Sequence, residues 1–415
     1  MEKNRILIIS NYFHPEEFKI NDLAFDLSKE GYKVDVITGI PNYPQGKFFN
    51  GYGLFKNNIE YYNGLKITRL PLIPRGNGSK IRLIINYISF FISLFFYSFY
   101  ISFFKKYDIV FVHHVSPIFL GIPAVLIKKV QGIKMIFWNL DLWPEAVSHY
   151  LKSNWINKQI LNFLNLIVKF IYENTDKLLI SSKSFKIHAS KRGFDKKNIV
   201  YFPNWAEKTY TSNKTEVIDT SIYKFPKNSF KIMFAGNIGE SQDMQNVLKA
   251  IEYTNRLDKN IFWIFLGDGR MKSLMEQNVK INKLDDYVKF LGLQPLKHMP
   301  SFFSIADAML LPLLDGPVYN STVPAKLQAY MASKKPVLGM INGEAASLII
   351  ESKCGLVASA GDYKGLSVNI LKMKNNSKEL QKFSQNSINY YNLNYSKKNA
   401  LNKVISIFES FNIKN

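Results

Sequence analysis

Two glycine-bearing turns and one lysine have the residue types that hold phosphate. Phe234-Ala235-Gly236-Asn237-Ile238-Gly239-Glu240-Ser241-Gln242-Asp243 runs from a strand-like segment through two glycines into a helical pattern. Backbone N–H groups at such a helix start can bind phosphate oxygens, and glycine lets the backbone approach closely. Alone, the segment reads equally as an ordinary strand–helix turn. Leu266-Gly267-Asp268-Gly269-Arg270 follows a second strand. It could line a nucleotide pocket, or it could be no more than a favoured Asp-Gly turn. In the stretch from Asp315 to Met331, Ser321 and Thr322 are suited to cap a helix opening near Val323-Pro324. Lys326, in the first turn of that helix, would offer positive charge to a diphosphate; the bland alternative is capping plus a solvated lysine.

The first half of the chain has other chemistry. Trp138-Asn139-Leu140-Asp141-Leu142-Trp143-Pro144-Glu145 places two carboxylates and two aromatics just after a strand, a combination suited to a sugar or lipid-phosphate site. Asp141 could serve as a general base or orient an acceptor hydroxyl; a helix-capping carboxylate is the simpler reading. The loop from Tyr12 to Asp22, with His14 in it, follows the first strand, where a ligand-facing loop belongs. His113-His114 ends another strand, but no third ligand stands at metal spacing. The pair reads as one pocket residue and one structural one.

The elements that must position these residues alternate between strand and helix. Strands are expected at Arg5–Ser10, Val34–Thr38, Ile109–Val112, Met135–Trp138, Lys177–Ser181 and Ile199–Phe202. Ile20, Leu23, Ala24 and Leu27 recur at helical spacing between the first two. A polar stretch over 203–228 holds no period and reads as a linker. The rhythm then restarts, with strands at Lys231–Ala235, Ile261–Leu266, Val288–Leu291, Ala308–Leu311 and Pro336–Met340. Such alternation implies parallel sheets with right-handed crossovers. The expected fold is therefore α/β, with two Rossmann-like doubly wound domains facing a cleft and ligands at the carboxyl ends of the strands.

Composition limits the function classes. The 415 residues carry 54 basic and 32 acidic side chains, a net charge of +22, which suits an anionic partner or a basic surface in general. Cys354 is the only cysteine, so an intramolecular disulfide and a cysteine metal cluster are both excluded, and a reducing compartment fits. The apolar run after Arg5 is too short for a signal peptide. No charged residue occurs from Leu83 to Phe104, and Arg82 and Lys105-Lys106 flank that segment. It is long enough to span a bilayer. Asn86, Ser89, Ser93, Ser98 and Ser102 nonetheless interrupt it, favouring a helix that lies on a membrane or packs partly on the domain. The aromatics concentrate in this block rather than alternating with Lys and Arg, which is poor for nucleic acid.

Taken together, the sequence resembles the family 4 retaining glycosyltransferases of the GT-B fold, near bacterial capsule and O-antigen enzymes of the N-acetylfucosamine transferase kind. Ordered stretches along nearly the whole chain carry the resemblance. They are His14-Pro15-Glu16 with Ile20-Asn21-Asp22; Thr38 to Pro44; Asp141 to Glu145; Ala235 to Gly239; Gly267-Asp268-Gly269; and Val323-Pro324-Ala325-Lys326 with Tyr330-Met331-Ala332. Gly343-Glu344 and Cys354 to Val357 extend it. The resemblance implies an acceptor-binding domain over 1–205, a nucleotide-sugar domain over 206–385, and terminal helices over 386–415 that pack back on the first domain. It implies a UDP-linked donor, of the N-acetylated deoxyhexose kind, no metal and no resident cofactor. The acceptor would be a glycan precursor on a polyprenyl diphosphate at the inner face of the cytoplasmic membrane. Asp141, His14 and Lys326 become the catalytic candidates. Gly236, Asn237, Gly239, Gln242, Gly267, Asp268, Ser321, Thr322, Val323, Lys326, Gln328 and Glu344 become the donor-binding ones.

The chain departs from the family pattern where two glutamates commonly flank seven residues: Ser321 and Ala329 stand there, with Gln328 as the substitute for ribose contact. Asn237 and Gln242 stand where a basic pair often follows the glycine loop. Two alternatives remain: a sugar-nucleotide epimerase of the same fold, and a non-catalytic basic membrane-binding protein.

Overall fold

The computed structural model describes residues 3–148, 154–211 and 218–411. The chain divides into two compact units, Met1–Pro203 with Ala400–Asn415, and Asn204–Asn399.

The first unit is built on an eight-stranded sheet. Its strands are β1 (Arg5–Ser10), β2 (Lys33–Gly39), β3 (Ile59–Tyr62), β4 (Leu65–Leu70), β5 (Ile109–His114), β6 (Lys134–Asn139), β7 (Lys177–Ile180) and β8 (Ile199–Tyr201), in the order β3-β4-β2-β1-β5-β6-β7-β8. Ile6 to Ile9 have no exposure, the continuous apolar run expected of a strand covered on both faces. All pairings are parallel except β3 with β4. That antiparallel hairpin does not appear in the sequence reading. It turns at Asn63 (φ 49°) and Gly64 (φ 80°), the residue pair a two-residue hairpin loop prefers.

The second unit has six parallel strands: β9 (Phe230–Ala235), β10 (Ile261–Leu266), β11 (Val288–Gly292), β12 (Ala308–Pro312), β13 (Val337–Met340) and β14 (Gly355–Ala358), in the order β11-β10-β9-β12-β13-β14. In each sheet the order reverses beside one strand, β1 in the first and β9 in the second. Doubly wound sheets bind ligands beyond the carboxyl ends of the strands at that point.

The apolar segment forms one helix, Lys80–Phe104, long and apolar enough to cross a membrane by length and composition. Asn86, Phe90, Leu94, Ser98, Ile101 and Ser102 form its buried stripe. Its polar residues explain the seating. Asn86 Nδ2 donates to Ile73 O at 2.7 Å, Ser93 Oγ donates to Pro71 O at 2.7 Å, and Ser89 Oγ accepts from Ile73 N at 2.9 Å. The opposite face is apolar and exposed, with Ile84, Ile88, Phe96 and Phe103 among its residues. A second helix of the unit, Trp155–Glu173, also exposes apolar side chains: Trp155, Ile160, Phe163 and Leu166.

The linker expectation needs correcting. Trp205 is buried, and Tyr210, on the short helix Lys208–Thr211, stacks on Phe303 with centroids 5.3 Å apart. Aromatic burial thus fixes the start of this polar stretch to the second unit. Residues 212–217 of the expected linker lie outside the described residues. The terminal helices divide between the units. Ser377–Asn394 belongs to the second, where Ser387 Oγ donates to Lys335 O at 2.8 Å. In Lys397–Ser410, Phe408 packs edge-on against Tyr32 of the first unit, centroids 5.4 Å apart.

Candidate active site

In the second unit the glycine turns after β9 and β10 lie against each other at the point where the strand order reverses. Gly236 N donates to Leu266 O and Ile238 N to Asp268 O, both at 2.8 Å. Contact is close enough that a Cβ on Gly267 (φ 129°) would stand 1.9 Å from Gly236 O. A Cβ on Gly236 (φ 139°) would stand 2.5 Å from Lys326 Cε. The sequence demands glycine at both positions, because side chains there would fill the space between the turns and the lysine.

Lys326 is half-buried in the first turn of the helix Ala325–Ala332. Its ammonium lies 4.4 Å from the centre of the Phe234 ring and donates to Gln242 Oε1. Burial pushes its pKa down to about 7. The structure therefore brings Gly236, Gln242, Gly267 and Lys326 together, with Asn237 and Asp268 exposed on the two turns and Gly239 beneath Asn237. The N–H groups of Gly236, Ile238 and Gly267 are spent on the carbonyls of Leu266, Asp268 and Gly292, so the lysine is the group here that can hold a diphosphate, with side-chain-free backbone beside it.

Ser321 and Thr322 do not cap the lysine's helix. Their hydroxyls donate to Pro317 O at 2.7 Å and Tyr319 O at 3.1 Å, closing the preceding turn Pro317–Asn320. Val323 and Pro324 lead into Ala325–Ala332, which has no side-chain cap; Leu327 N donates to Pro324 O at 2.9 Å. Gln328 is buried. Its amide nitrogen, in the orientation that satisfies its surroundings, donates to Pro324 O and Ala325 O. That places it inside the helix packing rather than toward a ribose. Glu344 lies in the first turn of Gly343–Ser352, half-buried. Asp315 Oδ1 accepts from Asn320 and Asn342, tying the loops before both helices together.

In the first unit, Asp141 follows β6. Its Oδ2 accepts from Ser116 Oγ at 2.7 Å, and Ser116 Oγ in turn accepts from Trp143 Nε1 at 3.0 Å. Burial raises its pKa, tempered by the donors of Ser116, Leu142 and Trp143. Glu145, its partner in the motif, is held elsewhere. Burial alone would raise its pKa, but His188 Nδ1 at 3.1 Å and Arg192 Nη2 at 2.8 Å bring it down to about 2. His14 stacks on Tyr62 of β3, ring centres 4.2 Å apart, and its carbonyl accepts from Arg69 of β4. β4 and β6 are four strand spacings apart, roughly 19 Å, so His14 and Asp141 are not brought together.

Residues outside the catalytic and donor-binding candidates, Ser10, His113 and Glu16, converge where the first sheet's order reverses. Ser10 Oγ donates to Tyr12 O at 2.6 Å, so its 2.9 Å contact with His113 is donated by Nδ1, which fixes the tautomer. Burial takes His113 down to about 3, so the ring is neutral. Glu16 Oε1 accepts from the backbone N–H groups of Asn42 and Tyr43 at 2.8 and 2.7 Å, holding the loop after β2. Burial pushes Glu16 up to about 7 despite those donors. Among the described residues no group of three His, Cys, Asp or Glu side chains stands ready to hold a metal ion.

Two doubly wound units, one with a glycine cradle beside a half-buried lysine, define the GT-B fold. Residues 218–390, within the second unit, match the family model of glycosyl transferases group 1. Over 339 residues the chain is 24% identical to the Escherichia coli (strain K12) protein named "Putative colanic acid biosynthesis glycosyl transferase WcaI", covering 79% of this chain and 81% of that one. Sucrose-phosphate synthase from Thermosynechococcus elongatus superposes with a TM-score of 0.73 at 14% identity, covering 99% of each chain. Anabaena HepE, solved in complex with UDP, superposes with a TM-score of 0.67 at 12% identity, covering 98% of this chain and 100% of that one.

Proposed function

We propose that the protein is a retaining glycosyltransferase. It moves a sugar from a UDP-linked donor, of the N-acetylated deoxyhexose kind, onto a polyprenyl-diphosphate-linked glycan precursor of a capsule or O-antigen. The observation that carries the reading is the cradle of Gly236, Gly267 and Lys326 inside the group 1 domain. It is supported by a relative named for colanic acid biosynthesis and by a GT-B neighbour that binds UDP.

In this reading the bond between the donor's anomeric carbon and the leaving phosphate oxygen breaks. A bond from that carbon to the acceptor oxygen forms on the same face. The acceptor's proton passes to the leaving phosphate, whose charge Lys326 stabilises. Asp141, fixed by Ser116, orients the acceptor hydroxyl. No step calls for a metal ion or a resident cofactor. The apolar faces of Lys80–Phe104 and Trp155–Glu173 attach the first unit to the inner face of the cytoplasmic membrane, where such an acceptor lies.

Thermal melts against UDP, GDP and ADP nucleotides and their sugars test the donor site. Selective stabilisation by UDP and one UDP-sugar is expected. A folded protein that none of them stabilises would count against the reading.

A further inference from the structure

Arg75 is the basic group of the first unit whose setting the proposed reaction does not yet explain. It follows β4, beyond the carboxyl ends of the strands. Its guanidinium carbon lies 5.0 Å from the centre of the Tyr43 ring, 5.7 Å from that of Tyr12 and 6.0 Å from that of Tyr87, and Nη1 donates to Tyr12 Oη at 3.0 Å. Among the described residues it has no ion pair. The nearby Glu16 directs Oε1 to two backbone N–H groups rather than to Arg75, and burial raises its pKa to about 7.

The loop that carries Arg75 is rigid. Arg75 N donates to Asn42 Oδ1 at 3.1 Å, and Gly76 N donates to Gly46 O at 2.7 Å. A Cβ on Gly46 would fall 1.8 Å from Gly76 O, so the two loops cross in backbone contact. Tyrosine faces stabilise a guanidinium without neutralising it, and they leave its N–H edges for a ligand. A held, unneutralised fork of this kind matches the two oxygens of a phosphate. Neither amide atom of Asn11, one residue before Tyr12 and buried, has a partner among the described residues. A second polar group without a partner thus lies on the turn that carries Tyr12.

Tyr87 lies on the helix Lys80–Phe104, whose other face is apolar and exposed. An anion on Arg75 thus sits beside the first turns of the helix that meets lipid. We propose that Arg75, in its cage of Tyr12, Tyr43 and Tyr87, is the subsite for the diphosphate of the membrane-borne acceptor. The acceptor assignment rests on the glycosyltransferase reading; the anion site rests on the geometry of the first unit alone.

The test uses the full chain and phosphatidylcholine vesicles with or without polyprenyl diphosphate, read by co-sedimentation. Wild type is expected to bind the diphosphate-bearing vesicles about tenfold or more tightly than plain ones. Arg75→Gln should remove that preference, leave binding to plain vesicles unchanged and leave the melting shift by the nucleotide-sugar unchanged. If Arg75→Gln does not fold, Tyr43→Leu, which removes a half-exposed stacking ring, should lower the same preference. A wild type without preference, or an Arg75→Gln that keeps it, overturns the subsite. Inorganic pyrophosphate that displaces the protein from the vesicles at matching concentration overturns the lipid-borne assignment, because the site then takes the free anion. Nucleotide-sugars that fail to stabilise a protein still preferring diphosphate vesicles would remove the transferase reading and leave the anion site standing.

Discussion

Lys326→Met is expected to lower kcat/KM for the nucleotide-sugar by about a hundredfold or more, the range for removing one preorganised donor to a developing charge. Methionine keeps the apolar stem against Gly236 and the Phe234 ring, so the loss is of charge and hydrogen bonding rather than of packing. The same residue sets a pH dependence. In the free protein burial holds Lys326 at about 7, and a diphosphate would raise that value by supplying the missing counter-charge. Donor binding then takes up a proton at mildly alkaline pH, and affinity falls as pH rises above 7 until it passes the pKa of the complex. Calorimetry in buffers of different ionisation enthalpy reads the uptake, and Lys326→Met should abolish it. Stability runs the other way. A lysine depressed on folding leaves the unfolded chain holding more protons between about 7 and its ordinary value, so that contribution to stability grows with pH. Unliganded Lys326→Met should therefore melt higher than wild type near pH 7, with the gap narrowing in alkali. A variant with unchanged kcat/KM would remove Lys326 from the reaction.

The second large effect is expected of Gly267→Ala. At φ 129° the added methyl meets the Gly236 carbonyl at 1.9 Å, and both partners are backbone, so no rotamer relieves the overlap. The turns must separate, at a destabilisation of about 3 kcal/mol or more. Gly53→Ala, with nothing within 4 Å of the new Cβ, is the control and should change little. Thermal melting compares the two. If Gly267→Ala melts within about 2 °C of wild type, the turns are not packed as described.

Most of the parallel strands were legible because burial on both faces writes them as unbroken apolar runs, Ile6 to Ile9 and Ile261 to Leu266 among them; the parallel strands β4 and β14, only partly buried, were not. β3 was not, since Ile59 and Tyr61 lie on an exposed edge and carry no core pattern; Asn63-Gly64 was its only local signal. The glycine turns and Lys326 were legible as motif residues, but the lysine's burial depends on packing across three separate segments. Ser321, Thr322 and Gln328 show the limit most plainly. Their types suit capping and ribose contact, yet nearby carbonyls of their own turns compete for them and win. Arg75 sits in a polar loop with no motif, and only the fold brings three tyrosines from three segments around it. The exposed face of Trp155–Glu173 was likewise missed, because apolar residues at helical spacing have the same pattern whether they face a core or solvent.

The central claim is transfer of a sugar from a nucleotide to a lipid-linked acceptor. Its most direct test is to incubate the protein with radiolabelled nucleotide-sugars and vesicles bearing a polyprenyl-diphosphate-linked sugar, then follow label into the organic phase. Label is expected in the lipid from one nucleotide-sugar, with matching release of nucleoside diphosphate and loss of both in Lys326→Met. A folded, nucleotide-binding protein that moves no label into lipid, but converts the nucleotide-sugar into its epimer, would contradict it.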